Sequence, residues 1–369
     1  MKKSVGFVGW RGTVGTVLIK RMLEEKDFKN INPVFFSTSL IGRKNSLIQD
    51  IYPDYIKDAY NIFDLKKMDI IITCQGTEYT EKVYFELRKQ NWKGYWIDAA
   101  SSLRMNKDSI IILDPVNNSL IEKSIKKGFK TFVGSNCTVS LMLLALGGLF
   151  VKDLIEWISI HTYQAASGSG AKSMLELLQQ TGIVFNKISN LIMNSHVLEI
   201  EKKVNAIIQS NDFPIENFKA PLAYSLIPWI DKKMKNGQSK EEWKVQAETN
   251  KILYRCNNPI RLDATCVRVS SLRCHSQSFL IKLKKDISIP EVENILSSHN
   301  PWVKVIPNTI KDTLSYLNPI AVTGTLNIPI GRLRKSIIGS KYLSAFTVGD
   351  QLLWGAAEPI RRMLSFLIK

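Results

Sequence analysis

The run Ser4-Val5-Gly6-Phe7-Val8-Gly9-Trp10-Arg11-Gly12-Thr13-Val14-Gly15-Thr16-Val17-Leu18 opens the chain and decides how the rest is read. Residues 4–8 are apolar and short, as a buried strand requires, and from Val14 the apolar residues recur at helical spacing through Val17, Leu18 and Met22. Between them Gly9, Gly12 and Gly15 are spaced GxxGxxG. Such a loop can turn tightly and bring its amides against a pyrophosphate at the positive end of the helix. Strand, glycine turn and helix in that order predict the first unit of a doubly wound, nucleotide-binding domain.

The following segments keep the alternation. Residues 32–37 and 68–74 read as strands, 59–67 as partly helical, 80–91 as a helix, and 94–99 and 130–133 as strands. Alternating β and α units imply a parallel sheet covered on both faces, with ligands beyond the carboxyl ends of the strands. Those ends carry Gly9, Ser37, Cys74, Ala99 and Gly134. Beyond Gly134 the texture changes to helix 138–151, strand 157–164, a Gly/Ser turn, helices 171–189 and 198–209, and an irregular proline-containing stretch over 211–237. Helix 241–253 and alternating strands over 263–270 and 277–283 complete it. An amphipathic helix, begun near Asp350 and bent at Pro359, ends the chain. The predicted class is α/β: a Rossmann-type doubly wound parallel sheet over residues 1–136, completed by the helix at 350–369, and an α+β domain with a mixed sheet over 137–349.

Composition narrows the function. Lys and Arg number 50 against 33 Asp and Glu, a formal charge of +17. The basic residues are scattered, with no tail, block or aromatic-basic repeat, which argues against nucleic acid and suits small anionic ligands. The longest apolar stretch, 139–151, is interrupted by Ser140, Gly147 and Gly148 and falls short of the roughly 20 residues that span a bilayer. Arg11 and the early glycines break any leader-like run, so a cytoplasmic protein is expected. Cysteines at 74, 137, 256, 266 and 274 form no CxxC pair, so neither a disulfide framework nor a metal site is expected.

The residues that could carry chemistry fall at the strand ends. The second strand ends Phe35-Phe36-Ser37-Thr38-Ser39, without the acid that would hold an unmodified ribose. Hydroxyls at Thr38 and Ser39, with Arg11, Arg43 and Lys44 nearby, favour NADP. Cys137 stands at the start of the helix after Ser135-Asn136, where the dipole and free amides stabilise a thiolate. Of the four histidines, His196 and His299 read as exposed, His161 as a core residue, and His275 as lying in a polar interruption between two strands, where a cleft could receive it. Glu241 and Lys244 lie one turn apart on one helix face, either an exposed ion pair or a joint contact to a ligand. Arg104 follows a strand end. Arg268 sits in an apolar strand, where an unpaired guanidinium is costly and a carboxylate ligand could partner it. Arg268 and His275 are an odd number apart, so a bend near Ser270-Ser271 is required if both reach one site.

Taken together, the stretches GFVGWRGTVG (6–15), PVFFSTS (33–39), IDAASSLRM (97–105), ILDPVN (112–117), FVGSNCTVSLML (132–143), TYQAASGSGA (162–171), SLIPWIDK (225–232), EEWKVQAETNKIL (241–253), CVRVSSLRCHSQ (266–277) and FTVGDQLLWGAAEP (346–359) span nearly the whole chain. In them the sequence resembles the aspartate-β-semialdehyde dehydrogenases of the bacterial long-form type. The resemblance implies an NADPH-dependent reductive dephosphorylation of L-aspartyl 4-phosphate to L-aspartate 4-semialdehyde, a step toward lysine, methionine and threonine, in a homodimer built on the second domain. It implies Cys137 as the acyl-forming cysteine, His275 as the acid-base histidine, and Asn136 and Gln164 as orienting residues. Arg104 and Lys244 match the pair that holds phosphate; Glu241 and Arg268, with Gln164, match the substrate contacts. Gly9, Arg11, Gly12, Thr13, Val14, Thr38, Ser39, Gln75, Ser167, Gly168 and Gln351 match cofactor contacts. Ser169 departs from the usual SGGG turn, Lys172 replaces a common Arg, and the loop 41–60 follows no aligned pattern. The rivals are another acyl-phosphate reductase, which would not need Glu241 for an acylated amine, a nucleic-acid-associated protein on the same scaffold, and a cysteine hydrolase, which would leave the phosphate cradle without a purpose.

Overall fold

The computed structural model describes residues 2–44, 48–52 and 54–368; residues 1 and 369, at the ends of the expected first domain, and 45–47 and 53, within the 41–60 loop, lie outside the described residues. The first half alternates as its sequence requires: β1 (Lys3–Val8), α1 (Thr13–Glu24), β2 (Ile31–Ser37), β3 (Lys57–Asp58), α2 (Ile62–Leu65), β4 (Ile70–Thr73), α3 (Thr77–Lys89), β5 (Tyr95–Asp98), β6 (Ser109–Ile112), α4 (Asp114–Lys126) and β7 (Thr131–Gly134). The strands form one parallel sheet in the order β3-β2-β1-β4-β5-β7-β6. Successive side chains feed opposite faces. Phe7, Phe35, Ile72, Ile97 and Phe132 pack on one side, and Val8, Phe36, Ile71, Trp96 and Val133 on the other. Apolar runs such as Ile70-Ile71-Ile72 are therefore buried throughout.

The second half holds α5 (Cys137–Val151), β8 (Ile155–Gln164), α6 (Ala171–Ile188), α7 (Val197–Ile208), β9 (Leu226–Ile227), α8 (Lys240–Ile252), β10 (Arg261–Val269), β11 (His275–Leu283), α9 (Ile289–Ser297), β12 (Val303–Val305), α10 (Ile310–Tyr316), α11 (Pro319–Val322), β13 (Ile328–Ser336) and β14 (Gly339–Gly349). Its mixed sheet runs β12-β13-β14-β11-β8-β10-β9. The sequence pattern carries no sign of β3, β6, α4, β9, the helices α9–α11 or the strands after residue 300. Thirteen of the fifteen residues of α5 are buried, because a helix apolar on every side can lie only inside the protein. Finally α12 (Glu358–Ile368) returns to the first sheet and buries Ile360, Met363, Leu364 and Leu367 with Phe7 and Phe132. No helix among the described residues is long and apolar enough to cross a membrane.

Four expectations need correction. The last helix is not bent at Pro359; a π turn over Leu353–Ala357 comes first, and Pro359 lies in the first turn of α12, where its missing N–H is harmless. His161 is exposed rather than buried, because it lies at an outward position of β8, whose inward positions are Ile158, Ile160, Thr162 and Gln164. His299 is half-buried: its ring fills the space beside Gly147, where a Cβ would come within 2.3 Å of it. The link between Arg268 and His275 is a crossing, not a bend within one strand. β10 is parallel to β8 on one side and β11 antiparallel to it on the other. Residues 270–274 pass over the end of β8, where Ala166 and Ser167 donate their N–H groups to Ser271 and Leu272 at 2.8 and 3.0 Å.

Candidate active site

Cys137 is the first residue of α5, and the Asn136 side chain caps that helix by accepting the N–H groups of Thr138 and Val139 at 2.9 and 3.2 Å. The buried helix behind it cannot slide, so the sulfur is held where β7 ends. It faces a cleft of about 430 Å³ between the two sheets. The cleft wall also includes Arg104, Asn136, Gln164, Glu241, Lys244 and Arg268, together with Val14, Ser167, Gly168 and Gln351. Gly355, which the sequence reading passed over, closes the site from the π turn: a Cβ there would come within 2.6 Å of Cys137 Cβ. No local pattern announces it, because the neighbour it must make room for is more than two hundred positions away.

The charges differ from the thiolate expected of a helix N-terminus. Burial and the Glu241 carboxylate push the Cys137 thiol up to about 12, outweighing Arg104, Arg268 and Lys244. In this arrangement the thiol keeps its proton. His275 is also fully buried, and burial together with Arg268 lowers it to about 3, so its ring is neutral. Its Nδ1 accepts the Ala165 N–H at 3.0 Å, which leaves the ring proton on Nε2. Nε2 has no partner among the described residues. A Cβ on Gly168 would meet Arg268 Nη1 at 2.8 Å and His275 Nε2 at 3.2 Å, so both heads converge beneath that glycine. Arg268, Gln164 and His275 come together because they lie at one end of the adjacent strands β10, β8 and β11.

The cations are held differently. Lys244 Nζ lies 3.0 Å from Glu241 and 2.7 Å from Asp231. Against the burial that would lower it, those carboxylates hold Lys244 above the ordinary lysine range. Glu241, against the burial that would raise it, is held low by Lys244 and by the Asn136 amide, which donates at 2.8 Å. Gln164 Nε2 donates to the same oxygen at 3.3 Å. Glu241 and Lys244 are thus a buried pair in the cleft wall, not a solvated one. Arg104 Nε donates to the Gly134 carbonyl at 2.7 Å and Nη1 to Glu248 at 3.1 Å. Buried Arg268 gives Nη1 to the Ala165 carbonyl at 2.7 Å and has no carboxylate partner among the described residues. Asp231 and Glu248 lie in the quoted stretches but carry no role there, although Glu248, four residues after Lys244, shares its helix face.

The remaining candidates line the strand ends. Gly9 adopts φ +71°, and a Cβ there would strike the Cys74 backbone at 2.5 Å, so only glycine permits this turn. Gly12 is the N-cap of α1 and makes no side-chain cap, which leaves the amides of the first turn without a side-chain acceptor. Arg11, Ser39 and Gln75 are exposed, and Thr13 and Thr38 half-buried. Asp58, in register with Ser37, accepts the Tyr60 N–H at 2.9 Å. Gln351 accepts the Cys274 N–H at 2.8 Å and donates to Ser167 Oγ. The uncapped α1 amides, the glycine turn and the absence of an acid at the end of β2 fit a dinucleotide.

Two family models match. One, described as the NAD binding domain of semialdehyde dehydrogenase, covers residues 4–124, and the other, its dimerisation domain, covers residues 146–354. Among solved structures, an aspartate semialdehyde dehydrogenase from Francisella tularensis is 49% identical, with all of each chain covered and a TM-score of 0.95. Aspartate semialdehyde dehydrogenase II from Vibrio cholerae, complexed with ASA, is 21% identical over 100% of this chain and 98% of that one, with a TM-score of 0.80. The Candida albicans enzyme, solved with NADP, is 14% identical with the same coverage and a TM-score of 0.68. The last two are likenesses of fold.

Proposed function

The chain belongs to the semialdehyde dehydrogenase family, and from that premise we propose that it catalyses the NADPH-dependent reductive dephosphorylation of L-aspartyl 4-phosphate to L-aspartate 4-semialdehyde through a cysteine thioester. One observation carries the reading: Arg268 is a buried guanidinium in the same cleft as a cysteine, bonded to a carbonyl and with no ion-pair partner among the described residues. Such a cation calls for a substrate that brings its own carboxylate. Glu241 suits the substrate's ammonium, which favours an aspartyl substrate over an acylated amine. Arg104 and Lys244 receive the phosphate, and Asn136 and Gln164 orient the nucleophile and substrate.

Cys137 Sγ attacks the acyl carbon while the phosphate leaves toward the two cations, and the proton given up by the thiol departs with hydrogen phosphate. The α1 amides with Gly9, Arg11, Gly12, Thr13, Val14, Thr38, Ser39, Gln75, Ser167, Gly168 and Gln351 would hold the nucleotide, whose chemistry there would be the hydride that reduces the thioester. His275 Nε2–H donates a hydrogen bond to the oxygen that turns anionic; as that oxyanion reforms its carbonyl the carbon–sulfur bond breaks, the aldehyde leaves, and the sulfur takes up a proton from solvent. Hydroxyls rather than an acid after β2 favour NADP over NAD. In this reading residues 1–136 with 350–369 bind the nucleotide, and 137–349 carry the chemistry and the contact between two copies. A reduced thiol nucleophile suits the cytoplasm.

Purified protein is expected to reduce NADP in the presence of aspartate semialdehyde only when phosphate is added, and Cys137→Ser is expected to lose at least about 10³-fold of that rate. Intact-mass measurement of quenched turnover mixtures should detect the acylated wild-type chain. Substantial phosphate-dependent NADPH formation by the serine variant overturns the covalent route.

A further inference from the structure

The mechanism above makes no use of Glu248, and we infer that this carboxylate is a positioning residue that sets the place of the leaving phosphate relative to the Cys137 sulfur. The inference rests on the reading of Arg104 as a phosphate ligand. Glu248 is 2% exposed, and a carboxylate at that depth persists only where both oxygens are satisfied. Oε1 accepts Arg104 Nη1 at 3.1 Å and Oε2 accepts the Asn136 main-chain N–H at 2.8 Å. Asn136 is the N-cap that precedes Cys137. One side chain therefore joins the turn after β5, the start of α5 and the helix α8.

The geometry fixes more than a distance. Arg104 has its Nε on the Gly134 carbonyl and Nη1 on Glu248, so two directions of the guanidinium are taken up by protein, and among the described residues no hydrogen-bond partner is given to Nη2. Glu241, Lys244 and Glu248 lie at positions i, i+3 and i+7 of α8 and are all buried, so one helix face carries Lys244 and, through Glu248, the orientation of Arg104. Movement of α8 then carries both phosphate-facing cations and the N-cap of the nucleophile together.

A glutamine at 248 has the same shape but one acceptor oxygen. Whichever way its amide is turned, an NH₂ group faces either the Arg104 guanidinium or the Asn136 N–H, donor against donor. In the phosphate-dependent direction Glu248→Gln is expected to raise KM for phosphate about tenfold or more. KM for the semialdehyde and for NADP stays within about twofold in the same variant. A merely structural role would instead lower the melting temperature and kcat without separating the three KM values. Glu248→Asp, which keeps the charge but withdraws it by one methylene, restores part of the phosphate KM; should the glutamine variant fail to fold, the aspartate variant is read by the same split. An unchanged phosphate KM in a folded variant overturns the role of Glu248. Absence of phosphate-dependent turnover in the wild type overturns the functional reading itself.

Discussion

The two ends of the cleft are both built from buried cations, yet they are charged differently. At one end Arg104 is paired with Glu248, and Lys244 with Glu241 and Asp231. At the other, Arg268 gives its hydrogen bond to the Ala165 carbonyl, has no ion-pair partner among the described residues, and feels the Glu241 carboxylate only at longer range. In the proposed reaction the paired end receives phosphate, which must come and go once per turnover, and the unpaired end receives the carboxylate, which stays through both half-reactions. A cation that already has a counter-ion gives up less on losing its ligand, so release there is easy. A cation without one holds its ligand in place. The difference follows from whether each charge is compensated by the protein or by the substrate.

The strongest way to break this comparison is to remove the uncompensated charge. Arg268→Met is expected to lower kcat/KM for the semialdehyde by 10²-fold or more, since truncating one partner of a buried charge pair costs about 2–5 kcal/mol. KM for phosphate should change little. Steady-state kinetics with each substrate varied separately decides it, and a semialdehyde KM within about threefold of wild type would end the distinction between the two ends.

A second test asks whether Glu241 and burial dominate the sulfur as the geometry requires. With the thiol near 12, only the small thiolate fraction reacts, and that fraction rises tenfold per pH unit. Without substrate, alkylation of Cys137 by iodoacetamide should therefore accelerate about 100-fold from pH 7 to pH 9 without a plateau. Peptide mapping separates it from exposed Cys256. A plateau below pH 8 would show that the three cations outweigh the acid.

The smallest effect sharpens the paired end. Asp231 shares Lys244 with Glu241 but its side chain is 28% exposed, so its hold is partly screened. Asp231→Asn frees Lys244 for an incoming anion and should lower KM for phosphate about two- to fivefold. A rise instead would mean that Asp231 orients Lys244 rather than competing for it.

The elements legible in the sequence were those whose character is local. The strand and glycine turn at residues 4–15 announce themselves because a tight turn before a helix needs glycine wherever it occurs, and helix α5 because apolar residues cover all its sides. The strands β12, β13 and β14 went unread: β12 has three residues, and β13 and β14 leave their alternation at register shifts. His161 was misread because an isolated strand does not say which of its faces meets the core. Within the site, Cys137 could be read from its place before a helix, whereas Glu248 looked like any helix glutamate until its two partners, 144 and 112 positions away, were in place.

The chain by itself determined the alternation of strands and helices in its first half, the glycine turn that can receive a nucleotide, and the cysteine at the head of a buried helix, because each depends on residues within a few positions of one another. Only the tertiary structure decided that Arg268, Gln164 and His275 stand at one end of three neighbouring strands, that Gly355 must lack a side chain, and that the sulfur keeps its proton. Those outcomes depend on burial and on charges from distant segments, and both exist only once the two sheets have closed on each other.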